Sequence, residues 1–179
     1  PYTLPINQFA QLQKTLGKEV DVSPQLATYY YQFNTSRPPF NDPRVRKALN
    51  MAINKQAIVD AVFQGAAEPA KNPIPPTMWS YNDAVTDETY DPEAAKKQLD
   101  EAGWKSEGGT RTKDGKQLVV NYSLLTGVPT SDNEGQLFKQ DMEKIGVKVN
   151  FVNTPPDDMS KVLTSHSFDT ISFTWQGTP

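Results

Sequence analysis

Apolar residues recur along this chain in two rhythms, one helical and one alternating, with a proline-rich gap between. Ile6, Phe9, Leu12 and Leu16 stand at helical spacing and predict a short amphipathic helix from Pro5 to Gly17. Val20, Val22 and Leu26 suggest an extended segment. Tyr29, Tyr31 and Phe33 alternate with Tyr30 and Gln32 as a strand, which Arg37-Pro38-Pro39 must end because proline cannot continue a ladder. Asp42-Pro43 then supplies a capping carboxylate followed by a residue suited to the first helical position. Val45, Ala48, Leu49, Ala52 and Ile53 give that helix one buried face, and a second helix is expected from Asn54 to a stop at Gly65, with Ile58, Ala61 and Val62 inward.

From Ala66 to Tyr90 the rhythm lapses and Pro69, Pro73, Pro75 and Pro76 punctuate the chain, which predicts a long ordered loop. Asp91-Pro92 repeats the helix start, with Ala95, Leu99 and Ala102 inward and Gly103 as the stop. Asp114-Gly115 is a hairpin signal, followed by a strand over Leu118 to Leu125. Ser131 with Glu134 three residues on has the form of a capping box for a helix carrying Leu137, Phe138, Met142 and Ile145 and ending at Gly146. Val147, Val149 and Phe151 predict a strand, Pro156 to Ser165 a helix, and Ile171, Phe173 and Trp175 the last strand. This succession predicts an α/β fold whose central sheet is parallel or mixed and flanked by helices, joined by right-handed crossovers. Ligands gather at the carboxyl ends of such strands, here Thr126 to Asn133 and Gln176 to Pro179.

Composition narrows the function classes. The 179 residues suffice for one domain with a core, and a formal charge of −3 with scattered Lys and Arg disfavours a nucleic-acid partner. Cysteine is absent, so disulfides, thiolate metal sites and Cys nucleophiles are excluded within this sequence. No apolar run approaches the roughly 18 residues a membrane span needs. The chain begins at Pro1 and ends at Pro179 just after a strand-like run, from which an excised part of a longer protein is expected.

The run Tyr29 to Lys55 (YYYQFNTSRPPFNDPRVRKALNMAINK) resembles the peptide/nickel family of ABC-transporter solute-binding proteins, which show a Phe-Asn-Thr strand, a Pro-Phe turn and an Asp-x-Arg-Val-Arg-x-Ala-Leu helix. The match continues through Ile58 to Gly65, Pro75-Pro76-Thr77-Met78-Trp79 and Tyr90 to Lys96. The resemblance implies a type II periplasmic-binding-protein-like clamp, with residues 1–179 as a single α/β lobe of a larger two-lobed protein. It implies no enzyme activity and no cofactor. The implied partners are a peptide solute, the other lobe of the same parent chain and ABC permease subunits. The implied location is extracytoplasmic, in the periplasm or lipid-anchored at the outer face of the membrane, with membrane contact only through an anchor outside this segment. A ligand-sensing module reporting to a receptor, or binding of a non-peptide solute such as a metal chelate, stands as the alternative.

Most motif positions read as core architecture, so solute contacts are expected at the strand ends. Trp175, Gln176, Gly177 and Thr178 combine an aromatic surface, an amide and a glycine permitting close backbone approach, with a core role for Trp175 as the competing reading. Thr126 and Gly127 follow the strand ending at Leu125. Tyr31 and Asn34 are further candidates, weighed against core and turn roles. Dipeptide-binding relatives carry an Asp at about the place of Thr178 for the solute's amino group and an Arg in the loop corresponding to Leu125 to Thr130 for its carboxylate. This chain has no acid at Thr178 and no Lys or Arg from Gln117 to Phe138, which favours longer peptides over dipeptides. His166 near Ser165, Ser167 and Asp169 does not make a triad, because sequence neighbours rarely converge and no Gly-x-Ser-x-Gly elbow exists. A single His without Cys likewise argues against a zinc site. Asp157-Asp158 fits the positive end of a helix, and Gly108-Gly109 lacks the Lys-Ser or Lys-Thr of a phosphate loop.

Overall fold

Two proline-initiated helices organise one side of the fold. The computed structural model describes residues 6–23 and 25–177. Helix α1 spans Phe9–Leu16, α2 Pro43–Ala52, α3 Lys55–Ile58 with a π-helical continuation over Val59–Phe63, α4 Pro92–Glu101, α5 Pro129–Lys144 and α6 Pro156–Thr164. In α2 the Asp42 side chain accepts from the amide of Arg44, and in α4 Asp91 accepts from Ala94, each followed by proline at the first helical position. Both Asp-Pro predictions hold. The buried faces that meet are Val45, Ala48, Leu49 and Ala52 of α2 and Ala95 and Leu99 of α4, whose alanines permit close helix approach.

The strands are β1 Ala27–Phe33, β2 Lys105–Glu107, β3 Thr110–Lys113, β4 Lys116–Gln117, β5 Val119–Leu125, β6 Lys148–Thr154 and β7 Thr170–Gln176. The main sheet has the order β1-β7-β5-β6. β5 pairs in parallel with β6, from Val119↔Lys148 to Leu125↔Thr154, and with β7 at Tyr122↔Thr170 and Ser123↔Ile171. β1 runs the other way: the amide of Asn34 donates to Asp169 O at 2.9 Å, and that of Gly177 to Leu26 O at 2.7 Å. The sheet is therefore mixed, with the predicted β5-α5-β6-α6-β7 unit as its parallel part.

A second sheet, β2-β3-β4, is antiparallel. Its last turn confirms the Asp114-Gly115 signal: both residues have positive φ, 51° and 71°, between the paired Lys113 and Lys116, as a type I′ turn requires. Strands β2 and β3 lack apolar alternation and were not expected. What fixes them is Arg111 of β3, buried, donating from Nε to Ile145 O at 3.1 Å and from Nη1 to Trp104 O at 2.9 Å, and paired with Asp100.

The expected capping box also gives way. α5 begins at Pro129 after extended Val128, so Ser131 lies inside the first turn, where its amide donates to Val128 O at 2.9 Å. Glu134 is buried and faces β5 instead of reaching back to a cap. Proline at the first helical position sets the start two residues before the serine.

The chain divides into two compact units. The larger comprises Tyr30–Asn54 and Glu88–Phe173; the smaller comprises Pro1–Tyr29, Lys55–Asp87 and Thr174–Pro179. The larger unit holds a complete core, with Phe40, Leu49, Leu99, Tyr122, Phe138 and Met142 among its fully buried side chains. In the smaller unit the Tyr29 ring meets Phe63 edge-on at 5.6 Å, and residues 66–87 form the expected loop, ordered by its own hydrogen bonds.

Candidate functional site

In the larger unit, the carboxyl end of β5 is built from the ladder outward. The amide of Thr126 extends the β5–β6 pairing by donating to Thr154 O at 3.0 Å, and the buried Thr154 hydroxyl donates to Val152 O at 3.1 Å. Gly127 then takes φ +77°, a conformation that strains any residue with a Cβ, and lies exposed. Behind this turn, the hydroxyl of Tyr122 lies 3.0 Å from Glu134 Oε1 and 2.9 Å from Ser172 Oγ, so it donates to the carboxylate and accepts from the serine. That bridge ties α5 and β7 to β5. The stretch Gln117 to Phe138 around this end carries Asp132 and buried Glu134 and no cation.

In the smaller unit, β7 ends on Trp175 and Gln176 and is followed by Gly177. Trp175 is 43% exposed and Gln176 is exposed. A Cβ placed on Gly177 would stand 2.9 Å from Trp175 Cη2 and 3.5 Å from Met78 Sδ. The indole thus folds over the Gly177 backbone, and only glycine lets it do so. Met78, from the proline-rich loop, flanks the same spot, a neighbour that sequence spacing gives no means of finding. Thr178 lies outside the described residues.

Tyr31 and Asn34 occupy other surroundings. The Tyr31 ring is 4.8 Å from Phe138 and 6.1 Å from Tyr122, within the aromatic core of the larger unit. Asn34 is buried; its Nδ2 donates to His166 O at 2.9 Å and Phe168 O at 3.0 Å, while its Oδ1 accepts from Ser36 N at 3.2 Å and Ser36 Oγ at 2.6 Å. Its amide joins the end of β1 to the turn before β7. His166 is an exposed turn residue with φ 51°.

Charge elsewhere is local. The guanidinium of Arg44 holds the Asp42 carboxyl below its usual range, chiefly through their hydrogen bond, against the opposing effect of burial. The Asp141 carboxylate, which also accepts from Asn54 N at 2.8 Å, raises Lys144 by a hydrogen bond. Among the described residues, no three His, Cys, Asp or Glu side chains are grouped to hold a metal ion, and no helix is long and apolar enough to cross a membrane.

Comparisons with known proteins follow this geometry. The chain is 43% identical over 148 residues to heme-binding protein A of Haemophilus influenzae, covering 83% of this chain and 26% of that protein. It is 34% identical over 177 residues to the dipeptide-binding protein of Escherichia coli, covering 99% of this chain and 32% of that one. Its fold is similar to that of NikA from Brucella suis, solved in complex with Fe(III)-EDTA, with a TM-score of 0.86 and 25% identity over 97% of this chain and 35% of that one. The chain therefore spans about a third or less of the length of these relatives. Residues 2–179 match the family described as "Bacterial extracellular solute-binding proteins, family 5 Middle", and the chain belongs to that family.

Proposed function

We propose that this chain is part of the solute-binding component of an ABC importer, working outside the cytoplasm to capture peptides and deliver them to the permease subunits. The observation that carries this reading is the chemistry of the two strand ends. β5 leads into a glycine turn with no cation nearby in sequence, and β7 ends on an exposed indole and amide beside a second glycine. Glycines permit close approach of a ligand backbone, and Gln176 and the Thr126 hydroxyl supply neutral hydrogen-bonding groups. A dipeptide presents two charged termini within a few ångströms, and enclosing them without partners costs several kcal/mol. A longer peptide held through its main chain fits better. The proposed contacts are Trp175, Gln176, Gly177 and Thr178 of the smaller unit and Thr126 and Gly127 of the larger, where Tyr31 and Asn34 support the fold, and the role is binding, not catalysis.

A second reading, a non-peptide solute such as heme or a metal chelate, is favoured by the 43% identity to a relative named for heme binding. An exposed indole suits a flat apolar ring as well as a peptide side chain. Mass analysis of solute co-purified with the full-length protein separates the two. Peptides longer than two residues support the first reading, heme or a chelate the second, and an unchanged uptake of every tested solute on deletion of the parent gene overturns both.

A further inference from the structure

Beside the strand end at Trp175 stands a residue outside the proposed contact set, Met78 of the proline-rich loop. The point that a Cβ on Gly177 would occupy lies 2.9 Å and 3.3 Å from Trp175 Cη2 and Cζ3, and 3.5 Å from Met78 Sδ. The edge of the indole and the thioether therefore converge on the same spot of the Gly177 backbone, and all three residues belong to the smaller unit. Neither side chain is lost to the core: Trp175 is exposed and Met78 half-buried.

Backbone hydrogen bonds hold both partners in place. The amide of Gly177 donates to Leu26 O at 2.7 Å, while that of Met78 donates to Pro75 O and Met78 O accepts from Tyr81 N, both at 3.0 Å. Pro75 is buried, and Asn72 Oδ1 accepts from Ile74 N at 2.9 Å, so the loop that brings Met78 is ordered on its own account. Charge is missing from both segments that meet here: residues 72–82 and 170–177 contain no Asp, Glu, Lys or Arg. A charged end of a solute would find no partner in them. An apolar side chain would gain a polarisable sulfur and an aromatic ring.

We infer that Met78 is a specificity-determining residue of the solute site, forming with Trp175 a seat for one large apolar side chain of a bound peptide. A thioether and an indole that both keep contact with water lose it together when such a side chain covers them, and that loss favours the large apolar group over a small one. The inference rests on the peptide-binding reading proposed above and adds to it the class of side chain that this strand end selects.

The test is titration calorimetry of the full-length protein, stripped of solute by reversible unfolding, with tetra-alanine and with tetrapeptides in which Phe replaces each alanine in turn. The unsubstituted protein is expected to bind at least one Phe peptide about tenfold more tightly than tetra-alanine. In Met78→Ala that preference should fall to about twofold or less, and in Met78→Leu, which conserves volume, it should persist. A preference that survives Met78→Ala overturns the inference, and so does one lost equally in Met78→Leu, which would assign the effect to folding of the loop. Peroxide oxidation read by mass spectrometry needs no variant: at saturation the preferred Phe peptide should slow oxidation of Met78, relative to Met159, more than tetra-alanine does. Equal protection by the two peptides overturns the inference. If the unsubstituted protein binds none of the tetrapeptides, the peptide reading fails and the inference with it, whereas peptide binding with no preference for Phe overturns the inference alone.

Discussion

The Tyr122 hydroxyl donates to Glu134 across 3.0 Å and accepts from Ser172 across 2.9 Å, so three elements of the parallel unit meet at one phenol. Tyr122 is itself fully buried, and its ring packs on Phe138 at 5.2 Å and Phe151 at 6.2 Å. Tyr122→Phe keeps the ring contacts and removes a donor from a buried carboxylate. The expected loss is about 1–3 kcal/mol of unfolding free energy, measured by urea denaturation with an unchanged slope. A loss within about 0.5 kcal/mol would show that the bridge is neutral.

Gly177→Ala tests the seat of Trp175. The added Cβ falls 2.9 Å from Trp175 Cη2, so the indole must move. If the indole is a solute contact, Gly177→Ala and Trp175→Ala each weaken solute binding by about tenfold, and the double substitution is no worse than either alone, because both remove one surface. Titration calorimetry on the full-length protein with its co-purified solute reads this directly. Additive losses would mean that Gly177 acts independently of the ring.

The Asp42 cap makes a prediction with a sign in pH. Its carboxyl is held below the ordinary value of 3.8 in the folded state, first by the Arg44 hydrogen bond. A depressed folded-state value means that the stabilisation is complete above the ordinary value and is lost as pH falls through the lower one. Asp42→Ala should therefore cost about 1 kcal/mol at neutral pH, and its gap from the unsubstituted protein should narrow under acid, as pH falls below the ordinary value of 3.8 and through the lower folded-state one. A gap that is constant with pH would assign the effect to helix propensity instead of the cap.

How far the sequence reveals this molecule depends on whether the signal is local. The parallel unit is legible because Val147, Val149 and Ile171 alternate while Phe138, Met142 and Ile145 keep helical spacing, and because Gly103 and Gly146 end helices in positive φ. The Ser131–Glu134 spacing misleads, since Pro129 already starts the helix and tertiary burial takes Glu134 for Tyr122. The β2–β3 pair is silent for another reason: Lys105, Ser106, Glu107, Thr110 and Thr112 carry no apolar period, and the strands are fixed by Arg111 reaching carbonyls that are distant in sequence. At the candidate site the aromatic and the glycines are visible in sequence, whereas the approach of Met78 to Gly177 is a loop contact with no periodic trace.

Asn34 sits where a solute role and a structural role predict opposite results. Its Nδ2 donates to two carbonyls, His166 O and Phe168 O, and its Oδ1 accepts from both the amide and the hydroxyl of Ser36. These bonds commit the amide to the turn at Ser36 and to the carbonyls that precede β7. Asn34→Ala strips the two carbonyls of a buried donor, and about 2–3 kcal/mol of stability should go with it. Asn34→Asp keeps the acceptor toward Ser36 and loses the donor, so it should recover only part of the loss. Under conditions where the variants remain folded, solute affinity of the full-length protein should be unchanged. A fall in affinity without a fall in unfolding free energy would reverse this assignment and return Asn34 to the solute-contacting set.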